Sequence, residues 1–171
     1  PRLIEHVAPA VAKAAMDSGV ATRPITDFEA YKQRLNRFVY QSGHIMRSVF
    51  TAAKKSPKRV VYAEGEEERF LRAAQQVADE GIARPILIGR PDVIKTRIER
   101  LGLRLVRDKH YEIVDPNNDP RYRDYWTEYH RLTRRKGVSV ELAKLDIRRR
   151  PTLIGAMMVH MGDADAMLCG I

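Results

Sequence analysis

The stretch RVVYAEGEEERFLRAA, residues 59–74, decides the fold. Val60, Val61 and Tyr62 form a short β-branched and aromatic run that stops at Gly65, and an amphipathic helical pattern follows at once. This is the first strand–turn–helix of an α/β domain. Everything ahead of it, residues 1–57, is helical in pattern, so the chain joins the end of one structural unit to the opening of another. It begins at Pro1 without a methionine and ends at Ile171, where an apolar strand has just emerged. The expectation is an internal piece of a longer polypeptide.

Outward from residue 74 the period alternates between strand and helix. Phe70, Leu71, Ala74, Val77 and Ala78 give the helix after strand one an inner face, with Gly81 as its stop. Residues 85–88 read as strand two, residues 91–101 as a helix opened by Pro91, and residues 111–114 as strand three. Tyr122, Tyr125, Trp126, Tyr129 and Leu132 line one face of the next helix, which closes in Arg134-Arg135-Lys136-Gly137. Ser139 caps a short helix containing Ala143 and Ile147. Pro151 opens another, with Leu153, Ile154, Met157, Met158 and Met161 inside, and residues 166–169 are strand four. Strands separated by helices predict an open parallel sheet in a three-layer α/β/α domain.

Toward the N-terminus, Pro9 fits best in the first turn of a helix over residues 8–17, followed by a linker through Pro24. Thr26-Asp27-Phe28-Glu29 reads as a capping box in which the threonine oxygen caps. The helix it opens, residues 27–53, carries Phe28, Tyr31, Leu35, Phe38, Ile45 and Val49, with Ser42 at the one polar position of the repeat. The organisation expected is therefore residues 1–25 as one region with its linker, 26–57 as a connecting helix and 58–171 as the α/β domain.

Composition narrows the function classes. Of the 171 residues, 44% are hydrophobic, enough for a core, and no run is long enough for a membrane helix. Cys169 is the only cysteine, which fits a reducing cytoplasm. The net charge of +9 raises nucleic acid, but the basic residues are scattered and lack the aromatic interleaving of a stacking platform. Solvated helix faces are the favoured reading, and neither nucleic acid nor membrane is expected as a partner.

The Glu64-Gly65 turn lies at the carboxyl end of strand one, where open α/β sheets place ligands. Glu66, Glu67 and Glu68 would repel a phosphate there, and the chain has neither G-x-G-x-x-G nor a P-loop. The five histidines lack metal spacing; His160 reads as a satisfied core or rim residue, and Asp163 and Asp165 as turn formers. No catalytic, cofactor-binding or metal-binding residue is expected within these residues. The basic helix end Arg134-Arg135-Lys136 satisfies a helix dipole, and it also makes a compact spot suited to phosphate.

With these segments in view, the chain resembles the bacterial NADP-dependent malic enzymes in which a malic-enzyme region precedes a phosphotransacetylase-like domain. VAPAVAKAAMDSGVA, residues 7–21, is similar to the last helix of the malic-enzyme region, and Arg23-Pro24-Ile25 to the junction. Residues 60–74, GIARPILIG at 81–89, RKGV at 135–138 and PTLIGAMMVHMGDAD at 151–165 are similar to phosphotransacetylase segments. The resemblance implies two subdomains with an acyl-CoA cleft, of which this chain holds the first half. It implies a parent that decarboxylates malate oxidatively to pyruvate and CO2 with NADP and a divalent metal (Mg or Mn), their binding groups lying outside this chain. It further implies acetyl-CoA as an allosteric effector, the malic-enzyme region of the same polypeptide as a partner, and a homo-oligomer.

Two positions depart from the family. Thr133 stands where phosphotransacetylases carry an arginine associated with coenzyme A, and Cys169-Gly170-Ile171 replaces Ser-Gly-Ala. Both suit a domain kept for sensing an acyl-CoA. The acyl-CoA residues expected are thus Thr133, Arg134, Arg135, Lys136, Cys169 and Gly170. An active phosphate acetyltransferase domain and a purely structural oligomerisation module are the competing readings.

Overall fold

A computed structural model describes residues 2–39 and 43–170. The chain divides into two compact units, residues 1–52 and 53–171. In the first, α1 (Arg2–Asp17) packs on α2 (Phe28–Val39); α3 (Gly43–Lys55) begins in the first unit and ends in the second. In the second, the order is β1 (Lys58–Tyr62), α4 (Glu68–Glu80), β2 (Ala83–Ile88), α5 (Pro91–Arg100), β3 (Glu112–Val114), α6 (Tyr122–Thr133), a 3₁₀ turn at Arg134–Lys136, α7 (Val140–Arg149), α8 (Pro151–Met161) and β4 (Ala166–Leu168).

The four strands form one parallel sheet in the order β3-β2-β1-β4. Alternation along the strands sends side chains to two faces. Tyr62 and Leu87 join Leu71 and Ala74 of α4 and Ile94 and Ile98 of α5 in one core. Val61, Ile86, Ile88 and Val114 join Tyr125, Ile147, Ile154, Met157 and Met158 of α6–α8 in the other. The faces follow from the strand order. Crossovers of one hand lay α4 and α5 on one side while the chain steps from β1 to β3, and the return past β1 to β4 lays α6–α8 on the other.

Several sequence expectations change. The first helix starts at Arg2, not near Ala8, and runs through Pro9. Proline forfeits one backbone bond in a helix interior, but Pro9 is buried and α1 packs along α2. The cap of α2 is Asp27, whose Oδ1 accepts the Ala30 N–H at 2.9 Å, rather than Thr26; the helix starts one residue later than a threonine cap requires. Of the helix expected over 27–53, residues 28–39 and 43–53 are helical; Ser42 lies outside the described residues, as do the side chains of Phe38 and Ile45. Leu132 and Met161, assigned to inner faces, are exposed because each sits in the last turn of its helix, past the edge of the sheet-side core.

On α3, Met46, Val49 and Phe50 form an exposed apolar stripe, and Val7 and Val11 are exposed on α1. Among the described residues no helix is long and apolar enough to cross a membrane.

Candidate functional site

The sheet reverses its direction of growth between β1 and β4, and the crevice beyond the carboxyl ends of two such strands is where open α/β sheets bind ligands. Two pieces of chain meet there. The Ala63 N–H donates to the Leu168 carbonyl at 3.0 Å, carrying the β1–β4 pairing past the strand ends. One residue further, the Gly170 N–H donates to Glu64 Oε1 at 3.2 Å. Gly170 has φ 97°, a left-handed turn away from the strand that a side chain would strain.

Glu64 is held from behind. The Gly65 N–H donates to the Ile88 carbonyl at 3.1 Å, and a Cβ on Gly65 would stand 2.8 Å from the Ile88 backbone N and O. Only glycine lets the β1 turn lie this close to the end of β2. Next along, Glu66 takes Arg90 in a two-pronged pair, Nε at 2.9 Å and Nη2 at 2.8 Å, and the Arg90 backbone N–H at 2.9 Å. These bonds, above all the guanidinium's, hold the Glu66 carboxyl below the usual carboxylate range. Arg97 donates to the Glu66 carbonyl and stands 3.8 Å from Glu67. The acids on this turn are therefore matched to arginines at its edge. Glu64 is the exception: its Oε2 is sealed from solvent and has no hydrogen-bond partner among the described residues.

The residues singled out in the sequence fall into two groups. Cys169, exposed, and Gly170 lie at this rim beside Glu64. Thr133 and the Arg134–Lys136 turn lie together at the end of α6. The Thr133 hydroxyl donates to the Tyr129 carbonyl at 2.7 Å, so it serves the helix end. Arg134, Arg135 and Lys136 are exposed, and among the described residues no carboxylate pairs with them. No described contact joins the two groups. Sequence reading located the Glu64–Gly65 turn but assigned Glu64 no role, because an unmatched oxygen is a property of packing.

Two further basic residues, both on α7, lie over aromatic rings. Lys144 sits 5.1 Å over the Trp126 ring and Arg148 4.7 Å over Tyr122, so cations cover the aromatic face of α6 that a stacking base would need. His160 meets Glu128 at 3.0 Å, and Asp163 and Asp165 do more than shape a turn. Asp163 accepts the Tyr125 hydroxyl at 2.7 Å, and Asp165 accepts the Arg59 backbone N–H at 2.7 Å. A groove of about 300 Å³ on α5, lined by Asp92, Val93, Thr96, Arg97 and Arg100, involves none of the residues expected to bind.

Among the described residues no three His, Cys, Asp or Glu side chains gather in a way that fits a metal ion. The β1 turn, with carboxylates at its helix entrance, does not fit a dinucleotide pyrophosphate.

Domain and relatives agree with this architecture. Residues 44–171 match the phosphate acetyl/butaryl transferase family, and the chain belongs to it. It is 57% identical over 171 residues to an NAD-dependent malic enzyme of Rhizobium meliloti, covering 99% of this chain and 22% of that protein. It is 54% identical over 170 residues to the NADP-dependent malic enzyme of Escherichia coli, again covering 99% of this chain and 22% of the relative. Among solved structures, a phosphotransacetylase from Streptococcus pyogenes superposes with a TM-score of 0.59 at 29% identity, covering 71% of this chain and 36% of that one. The chain thus spans 22% of the length of these malic enzymes.

Proposed function

We propose that this chain is a regulatory and assembly segment of a malic enzyme, whose phosphotransacetylase-like domain binds acetyl-CoA as an effector. The observation that carries the reading is the overlap of two likenesses. Residues 44–171 match a transferase family, while the same chain is 57% and 54% identical to malic enzymes over nearly its whole length. In this reading the parent decarboxylates malate oxidatively in the cytoplasm as a homo-oligomer, with a nicotinamide cofactor and a divalent metal held elsewhere in the polypeptide. The resemblance favours NADP; the two relatives are named for NAD and NADP in turn, so identity across this segment does not separate them.

The segment itself is non-catalytic in this reading, the groups that serve malate oxidation and acetyl transfer lying in other parts of the polypeptide. Arg134, Arg135 and Lys136, exposed and unmatched by carboxylates among the described residues, take the effector's phosphates through charge-assisted hydrogen bonds. The effector acts by binding two states of the parent unequally. The exposed stripe of Met46, Val49 and Phe50 serves assembly.

The test is kinetic. In the full polypeptide, acetyl-CoA lowers malate-dependent reduction of the nicotinamide. Reversing charge at Arg134 and Lys136 weakens that effect at least about tenfold, with the malate and nicotinamide constants unchanged. An unaltered response to acetyl-CoA would reduce the basic turn to a solvated helix end. A second reading, an active acetyltransferase, draws on the likeness to the streptococcal phosphotransacetylase. Acetyl phosphate formation by the full polypeptide would decide for it.

A further inference from the structure

We propose that the outward face of α7 is a two-fold interface with a second copy of this chain, on which Leu145 meets its own counterpart while Glu141 of each copy faces Arg149 of the other. The inference goes beyond the assembly role given to the α3 stripe: it names a different surface, its occupant and its register.

Helix geometry sets the face. Ala143, Asp146 and Ile147 are buried and mark the inner side of α7. At 3.6 residues per turn, Leu145 lies on the opposite side. That side of a surface helix is ordinarily polar. Here Val140, Leu142 and Leu145 are 37%, 42% and 43% exposed. The next helix, α8, follows after Arg150 alone and packs on α7, and it leaves Val159 and Met161 exposed as well. Apolar side chains gathered in this way mark an interaction surface, whereas singly scattered ones do not.

The charges along the face choose the occupant. Glu141, Leu145 and Arg149 stand four residues apart, one on each successive turn, with about 6 Å of helix axis between neighbours. The strip reads acid, leucine, base, and in the reverse direction base, leucine, acid. Two copies of α7 laid antiparallel about a two-fold axis at Leu145 bring leucine to leucine and set an acid–base pair on either side. This is the isologous arrangement, in which every contact is made twice. A partner of one sign would be repelled at one end of the strip. Both charges are available for this role. Glu141 meets Lys144 at 2.9 Å, but its side chain is 82% exposed, and such a surface pair is worth little. Among the described residues no carboxylate pairs with Arg149, while its neighbours are engaged, Arg148 over Tyr122 and Arg150 with Asp146.

Light scattering of the full polypeptide tests the register. Glu141→Arg sets like charges against each other at both ends of the strip and is expected at least to halve the particle mass. Arg149→Glu added to it exchanges the charges on each copy, rebuilds both pairs and is expected to restore the mass. Leu145→Cys in a Cys169→Ser background is expected to link copies in pairs, air oxygen oxidising the two facing thiols to a disulfide, above the level of Cys169→Ser alone. Unchanged mass in Glu141→Arg, with no added cross-link from position 145, overturns the interface. Mass that falls and is not restored by the second substitution overturns the two-fold register and the proposal with it. A lowered melting temperature at constant mass means that another part of the same polypeptide covers α7, and overturns it as well. A full polypeptide that is monomeric at every concentration removes this interface together with the assembly reading of α3.

Discussion

The two faces of the sheet are built by different means. On the α4–α5 side, Tyr62, Leu71, Leu87, Ile94 and Ile98 meet in a mostly apolar layer, contributed by two short crossovers. On the α6–α8 side the layer is equally buried but threaded with tyrosine hydroxyls. Tyr122 donates to the Lys144 carbonyl at 2.8 Å, Tyr125 to Asp163 at 2.7 Å and Tyr129 to Asp146 at 3.2 Å. Three helices that follow one another without intervening strands have no sheet register to align them. Directional bonds fix what apolar contact alone leaves free to slide. The first face therefore draws on area, and the second on area plus geometry.

The largest effect that tests this contrast is expected from Leu71→Ala. Leu71 is fully buried, so its truncation leaves a cavity and should cost about 2–5 kcal/mol in denaturant unfolding. A value below about 1 kcal/mol would mean that the α4–α5 layer collapses around the gap, unlike the close-packed core described.

Tyr125→Phe is the counterpart on the other face. It keeps the ring and removes the hydroxyl from Asp163, whose remaining neighbour is Arg121 at 3.8 Å. The expected loss is about 1–3 kcal/mol, with the slope of unfolding against denaturant unchanged. A neutral result would make the hydroxyl bonds incidental and erase the difference between the faces.

The smallest effect is acid-dependent. Glu128 on α6 accepts from Arg131 and His160, and these bonds hold its carboxyl down at about 2 against an ordinary 4.5. A carboxyl with a lower value folded than unfolded adds stability above the unfolded value and loses it as pH falls toward the folded one. Thermal melting should therefore decline between about pH 4.5 and 2, and Glu128→Gln should flatten part of that limb. An identical limb in the variant would place the acid sensitivity elsewhere, with Asp165 and Glu66, both also depressed by arginines, as the remaining carriers.

The two faces were also unequally legible in the sequence. The strand–turn–helix at residues 59–74, the Pro91 and Pro151 starts and the Ser139 cap rest on local chemistry, and each is found where its residues put it. The Ser139 hydroxyl accepts the Leu142 N–H at 3.2 Å. Expectations that needed tertiary context fared differently. Pro9 stays inside a helix because its surroundings bury it, and Leu132 and Met161 follow the apolar period yet overrun the core. Asp163 and Asp165 read as turn residues, whereas their partners, Tyr125 and Arg59, lie 38 and 106 positions away. In the candidate site the location of the Glu64–Gly65 turn was legible. The unmatched oxygen was not, since it depends on β4 arriving beside β1.

That arrival has a consequence for the order of folding. β1, β2 and β3 are neighbours joined through one helix at a time, so their pairing closes short loops. β4 must return across three helices to lie beside β1, and the Arg59–Asp165 clasp that fastens its entry closes a loop of 106 residues. Contacts so distant along the chain form late, after the entropy of closing the loop has been met by nearer ones. The β1–β4 seam is thus the last part of the sheet to assemble, and the crevice that holds Glu64 and Gly170 exists only in chains that have completed that final step.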